Sequence, residues 1–285
     1  MAVLLALNDV PLHDEATKFS ARWNERLWQS LGDIARIDLY DEDAVRSKWE
    51  KAVDERNPDL IVHYGHGSDW TLVGDDLKAI MDEYNAKKAA GRTVYTMCCN
   101  AASKLGADAY RKGCVAWWGY VRPFSFTTDD EEIFCELANL GLIVRNVTGI
   151  SWPKVLERVK EAYEDKVEEI REVGGDPWTI IALVGNKNAL VVWTDETPPT
   201  SDCAFRNLGV RMFGKAGHHL SKSSVFFLTM LGVGYGIALH DYVHQVWQLK
   251  GTWMSLEGGY VGFGIMLLFG LLLVDDYLKW LGKRR

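Results

Sequence analysis

Apolar residues fall along the first two hundred positions in short unbroken blocks. Each block is followed by a stretch in which they return every three or four places. The first pattern suits strands covered on both faces, the second amphipathic helices. Residues 2–8 (AVLLALN) make the first strand block. Residues 14–31 follow, with Ala16, Phe19, Trp23, Leu27 and Leu31 at helical spacing. A strand over 35–40 leads to a helix over 42–55. The block DLIVHYG, 59–65, leads through a loop rich in Gly and Asp to a helix over 75–89. TVYTMCC, 93–99, leads to a helix over 101–112, and CVAWWGY, 114–120, closes this alternation. Beyond the loop RPFSFTT, helices are expected over 128–140 and 152–173. The second has Ser151 as cap, Pro153 in its first turn and Gly174-Gly175 at its end. Its charged face reads as solvated surface. WTIIALVG and ALVVW read as two last strands, joined in a hairpin at Asn186-Lys187-Asn188. Strands alternating with helices predict an α/β domain over residues 1–200, its mostly parallel sheet flanked by helices.

Past Pro198-Pro199 the pattern changes. Residues 201–223 read as a linker. Residues 224–243 and 258–274 are apolar runs near the length that a bilayer core requires of a helix, about 17–25 residues. Arg206, Arg211, Lys215 and Lys222 precede the first run, and Lys279, Lys283, Arg284 and Arg285 follow the second. Only Lys250 lies in the connection. The positive-inside rule therefore predicts a two-helix transmembrane hairpin within 224–285 in the inner membrane, with both termini cytoplasmic. Tyr242, Trp247, Trp253, Tyr260, Tyr277 and Trp280 suit interfacial belts, and His240 and Asp241 mark a membrane boundary. Glycines at 232, 234, 236, 262, 264 and 270 permit close helix packing, within the hairpin or in a homo-oligomer.

The whole chain has 285 residues, 48% hydrophobic and 25% charged, which is ordinary globular usage. A net charge of −7 argues against a nucleic-acid partner. The five cysteines are odd in number and two are adjacent, so they form no disulfide framework. Reduced thiols in the cytosol are expected, with no structural zinc pair of the CxxC type. No cofactor is expected.

Two strand ends carry chemistry. One reads IVHYGHGSDW, with His63, Gly65, His66 and Gly67, and the other TVYTMCCN, with Cys98 and Cys99. Ligands of open parallel sheets bind beyond the carboxyl ends of the strands, where neighbouring strands would set His66 beside Cys99. A thiol and an imidazole suffice for nucleophilic acyl transfer. The Gly67 and Cys99 N–H groups would be the oxyanion donors. Neighbouring residues of a strand face opposite ways, so Cys99 is taken as the nucleophile and Cys98 as a buried small residue. His63 reads as structural. A metal site of His63, His66, Cys98 and Cys99 is the alternative use of these ligands.

HYGHG, followed 33 positions after its second histidine by a cysteine at a strand end, resembles the caspase-type cysteine peptidases. It is closest to their gingipain-like and CHAT-domain branches. The resemblance covers about residues 1–195 and does not extend to the membrane hairpin. It implies a caspase-like α/β fold, with the catalytic histidine at the second position of H-x-x-H-G, here His66. It implies a nucleophile before a small or polar pair, here Cys99 before Asn100 and Ala101. WTIIALVGNKNALVVW resembles the late strand-Gly-Asp-Pro-strand element, with Asn186 and Lys187 in place of Asp-Pro. The primary substrate pocket would be lined by Met97 and by the stretch from Trp117 through Trp118 to Arg122. Arg122 would suit an acidic substrate side chain, and Asp69, Asp75 or Asp76 a basic one. Trp70, Trp117 and Trp118 would wall the cleft.

The expected function is a membrane-anchored cysteine endopeptidase. Its partners would be a protein or peptide substrate, the lipid bilayer, and either a second copy or an activating protein. A role in prokaryotic defence or cell death follows by analogy alone. The alternative is a non-enzymatic effector whose α/β domain senses a ligand and whose hairpin perturbs the membrane. A thiol acyl-transferase or an inactive scaffold is the third reading.

Overall fold

A computed structural model describes residues 5–199. The linker and the two apolar runs of the hairpin lie outside the described residues. None of the described helices is long and apolar enough to cross a membrane.

Six strands form one sheet: β1 (Ala6–Val10), β2 (Arg36–Tyr40), β3 (Leu60–Tyr64), β6 (Thr93–Met97), β7 (Ala116–Tyr120) and β8 (Leu190–Trp193). Their order is β2-β1-β3-β6-β7-β8, parallel except for the last pair. The parallel steps are bridged by α1 (Glu15–Leu31), α2 (Arg46–Arg56), a small hairpin of β4 (Leu72–Val73) and β5 (Ala79–Met81), and α3 (Leu105–Arg111). Three helices, α4 (Glu131–Thr148), α5 (Trp152–Glu172) and α6 (Pro177–Ala189), carry the chain back to β8. A mostly parallel α/β sheet flanked by helices is thus as the sequence pattern predicts.

Alternation along the strands sorts side chains into two apolar layers. Tyr95, Met97, Trp118 and Tyr120 join residues of α1, α4 and α5 on one face. Val94, Cys98 and Trp117 join residues of α2 and α3 on the other. The first layer centres on Trp118, whose ring stacks on Tyr95 at 5.6 Å and lies 5.6 Å from Trp152. Gly141 of α4 lets that helix close on Trp118, because a Cβ there would lie 2.6 Å from the ring.

Two expectations fail. No helix spans 75–89: the chain turns at Gly74 and makes the β4–β5 hairpin, then a 3-10 turn at Ala86–Ala89. The Asn85 side chain accepts from the Asp82 N–H at 2.8 Å and donates to the Ile80 carbonyl at 2.9 Å. Such local bonds compete with helix formation. WTIIALVG is helical, not a strand, so no hairpin forms at 186–188 and the likeness to a strand-Gly-Asp-Pro-strand element is lost. Asp176 caps α6 by accepting from the Trp178 and Thr179 N–H groups, and Pro177 starts it. The β-branched run Thr179-Ile180-Ile181 favours a strand, but Thr179, Ala182, Leu183 and Asn186 are buried at helical spacing.

Candidate functional site

The chain passes from β1 to β2 on one side and reaches β3 on the other. This reversal opens a crevice beyond the carboxyl ends of β1 and β3, the position where open α/β sheets bind ligands. Three ring-bearing or acidic side chains gather there: His13 and Asp14 after β1, and His66 after β3. The His13 and His66 rings stack at 5.6 Å, 6° from parallel. His66 Nε2 lies 2.9 Å from Asp14 Oδ2. The other Asp14 oxygen accepts the Thr17 N–H at 2.9 Å, so the carboxylate that begins α1 also holds the imidazole. Burial raises the Asp14 carboxyl, but hydrogen bonds from Thr17 and His66 outweigh it and the net shift is downward. His66 Nδ1 is left for a reacting group.

One strand further along, β6 delivers the cysteines. Tyr64 and Met97 are register partners, and the Gly65 N–H donates to the Met97 carbonyl at 3.2 Å. The His-Gly turn therefore runs directly alongside Cys98-Cys99. The approach is close: a Cβ on Gly67 would lie 2.7 Å from Cys98 Sγ and 2.8 Å from the Cys99 carbonyl oxygen. Only glycine fits there. Asn100 takes up the left-handed conformation, φ 59°, at the bend that turns the chain from Cys99 toward α3.

Gly67 faces Leu72 in an isolated antiparallel bridge. Its hydrogen bonds run from the Val73 N–H to the His66 carbonyl, 3.0 Å, and from the Ser68 N–H to the Thr71 carbonyl, 2.9 Å. That pattern leaves the Gly67 N–H out of the pairing. Among the described residues, neither the Gly67 nor the Cys99 N–H has a protein acceptor. The two groups expected as oxyanion donors are thus both unengaged.

The thiols differ. Cys98 is buried against α3, and burial pushes its thiol far upward. Cys99 is partly exposed. Burial also raises its thiol, opposed by a weak hydrogen bond to the Phe124 carbonyl at 3.9 Å. No hydrogen bond joins Cys99 to His66: the sulfur faces the 121–127 loop instead. That loop is pinned by Asn186, which accepts the Ser125 N–H at 3.0 Å and donates to the Ser125 carbonyl at 2.6 Å. Phe124 and Phe126 anchor it by packing on Trp23.

The expected substrate contacts divide. Met97 and Trp118 are core residues, 5% and 2% exposed, so neither lines an open pocket. Trp117 is equally buried, on the opposite face. All three lie inside strands covered on both sides, which is why they are apolar and why they do not reach the cleft. Asp69 is partly buried and pairs with Lys104 at 3.1 Å, with Trp70 beneath the same ammonium. Asp75 accepts the Leu12 N–H at 3.0 Å, and Asp76 binds Lys78. Arg122 is exposed, and its carbonyl accepts the Asn100 N–H at 3.2 Å, placing it beside the cysteine turn.

His63 is fully buried. Its Nδ1 lies 2.5 Å from Asp9 Oδ2 and its Nε2 3.1 Å from the His66 carbonyl oxygen. Both ring nitrogens are engaged, which removes His63 from the alternative metal set. Among the described residues no three His, Cys, Asp or Glu side chains are gathered as metal ligands.

Asp14 and Asp9 escape sequence reasoning. Asp14 has a signal, the D-x-x-T capping box that opens α1. Asp9 has none, because its partner lies 54 positions away and meets it only through strand register. Compared with known families, curated proteins and solved structures, the chain matches none.

Proposed function

We propose that the protein is a cysteine endopeptidase of caspase-like type, tethered to a membrane by its C-terminal segment and acting on a protein partner. The observation that carries this reading is the register that lays His66-Gly67 against Cys98-Cys99 with two N–H groups unengaged. In the reaction, Cys99 turns from Phe124 toward His66. Substrate binding commonly tightens contacts that are loose in the free enzyme. His66 takes the thiol proton on Nδ1 as the sulfur adds to the scissile carbonyl. Asp14 holds the imidazole through the 2.9 Å contact at Nε2. The oxyanion receives the Gly67 and Cys99 N–H groups. Its collapse breaks the C–N bond, and His66 gives its proton to the departing amine. Water, deprotonated by His66, then adds to the thioester, releasing the acid and restoring the thiol.

Substrate charge follows from which cleft charges are already engaged. Asp69, Asp75 and Asp76 all have partners within the chain, whereas Arg122 has no ion-pair partner among the described residues. An acidic substrate side chain is the better match.

The test is a library of peptidyl electrophiles applied to the full chain in detergent, with adducts read by mass spectrometry. The reading requires labelling of Cys99 that is lost in His66→Ala and favours acidic peptides. Labelling indifferent to His66 sinks it. The orientation of the Cys99 thiol toward Phe124 favours a second reading, in which the α/β domain senses a partner and the C-terminal segment perturbs the membrane. Cys99→Ala that leaves membrane disruption intact would select that one.

A further inference from the structure

The Asp9–His63 pair takes no part in the steps above, yet it sits where a parallel sheet ordinarily has valine or leucine. Asp9 and His63 are register partners on β1 and β3, both 0% exposed. Burying a carboxylate and an imidazole costs solvation that an apolar pair would not, so stability alone does not account for them. The pair is moreover incompletely satisfied: Asp9 Oδ1 is buried without a partner.

What the pair does reach is the His66 carbonyl. That oxygen only accepts, so His63 Nε2 carries a proton and donates across 3.1 Å. The same oxygen accepts the Val73 N–H at 3.0 Å. Two donors from two different elements thus fix the direction of one carbonyl. The peptide that joins His66 to Gly67 is planar and trans, so its N–H points opposite to its C=O. Fixing the His66 carbonyl inward fixes the Gly67 N–H outward. Gly65 permits the turn: a Cβ there would lie 2.7 Å from Pro11 Cγ and 3.3 Å from His63 Nε2. On its far side, His63 Nδ1 lies 2.5 Å from Asp9 Oδ2, which holds the ring in place; with Nε2 donating to the His66 carbonyl, the second proton of the pair is the one shared in that short contact.

We propose that Asp9 and His63 are positioning residues that aim the Gly67 N–H at the oxyanion formed on the substrate carbonyl; the inference rests on the peptidase reading above.

Two probes separate oxyanion stabilisation from thiol activation. A reversible peptidyl aldehyde forms a tetrahedral adduct that needs the oxyanion donors. Iodoacetamide alkylates the thiol by displacement at carbon and needs none. The full chain in detergent is compared with the double variant Asp9→Leu, His63→Leu and with Asp9→Asn, His63→Gln, whose amides rebuild a neutral donor chain to the same carbonyl. The Leu pair should weaken the aldehyde at least about tenfold and lower kcat with KM nearly unchanged, since losing an oxyanion donor outright costs about 10²–10³ in rate. Alkylation of Cys99 by iodoacetamide should stay within about twofold. The Asn/Gln pair should recover most of the loss. A folded Leu pair that keeps wild-type aldehyde affinity overturns the inference. Should the Leu pair not fold, ¹⁵N spectra of histidine-labelled wild-type protein decide: His63 Nε2 must be protonated, and an unprotonated Nε2 overturns it. Loss of His66-dependent labelling in the wild type would instead defeat the peptidase reading, and the His63 tautomer would still be measured.

Discussion

Asp14 serves two structures at once, and the two can be separated by substitution. One carboxylate oxygen accepts the Thr17 N–H at 2.9 Å, while Thr17 Oγ1 accepts the Asp14 N–H at 3.0 Å, closing a reciprocal cap on α1. The other oxygen receives His66 at 2.9 Å. Asp14→Ala removes both. Loss of an N-cap costs about 1 kcal/mol. The ion pair adds little, because the His66 and Asp14 side chains are 40% and 51% exposed and water screens them; such pairs contribute about 0–1 kcal/mol. The expected loss is about 1–2 kcal/mol, or roughly 2–8 °C in Tm for a domain of this size. Asp14→Asn caps a helix about as well as Asp, so its stability should lie within about 0.5 kcal/mol of wild type. Its effect should fall on the chemistry, because an amide has one acceptor oxygen: with that oxygen on the Thr17 N–H, an NH2 group faces His66 Nε2 in place of the carboxylate oxygen.

The pH dependence has a definite sign. The Asp14 carboxyl is held below its ordinary value in the fold, so its stabilisation is present above the unfolded carboxylate pKa near 4. It is lost as pH falls through the lower, folded value. The difference between wild type and Asp14→Asn should therefore shrink below about pH 4. Urea unfolding at pH 7 and pH 3, paired with the rate of Cys99 alkylation, measures both effects. Asn and Ala variants equally destabilised would refute the division of labour between the two oxygens. Unchanged alkylation in both would refute the role of Asp14 in holding His66.

Three further outcomes follow from other contacts. Asn186→Ala breaks both hydrogen bonds to Ser125 and should cost about 1–3 kcal/mol while speeding Cys99 alkylation, since the loop over the sulfur is loosened; unchanged labelling would show that the loop does not shield the thiol. Gly141→Ala should destabilise in chemical denaturation despite the roughly 1 kcal/mol gain in helix propensity, because its Cβ meets a Trp118 ring confined by Tyr95 and Trp152, and overpacking costs about 1–3 kcal/mol; a stabilised variant would show that the ring can move. In native protein a thiol reagent should modify Cys99 well before Cys98, whose thiol burial raises furthest; mapped by mass spectrometry, equal labelling of the neighbours would contradict the packing of Cys98 against α3.

Much of the sheet is legible in the sequence because strands buried on both faces must be apolar throughout, and LIVHY, TVYTM and AWWGY are nearly so. The same property misleads about the site. Met97 attracts attention as a cleft residue at the end of β6, and Trp117 and Trp118 by leading into the loop at Arg122, yet two-sided burial is what selects them. Residues 75–89 and 177–189 are misread where local side-chain hydrogen bonds or a cap override propensity. The neighbouring placement of His66-Gly67 and Cys98-Cys99 is readable because consecutive parallel strands tend to pair. Asp9 with His63 is not, because it depends on a register between distant strands that no local pattern encodes.

The order of the strands also bears on how the chain assembles as it is synthesised. After β1 and β2 pair, β3 adds on the free side of β1, and each later strand of the sheet then adds beside the one before it: β6, β7 and finally β8. The sheet therefore grows in one direction, and the ribosome delivers strands in the order in which they dock. The elements that carry His66 and Cys99 are complete once β6 and the following turn have emerged. β7 then waits as an open edge, with Trp117 and Trp118 in its middle, until the chain has passed through α4, α5 and α6 to Leu190. An apolar, unpaired edge during that interval invites pairing with other nascent chains. The antiparallel β8 is what ends the exposure, so truncation before Leu190 should yield aggregates even though every residue of the proposed site has already been made.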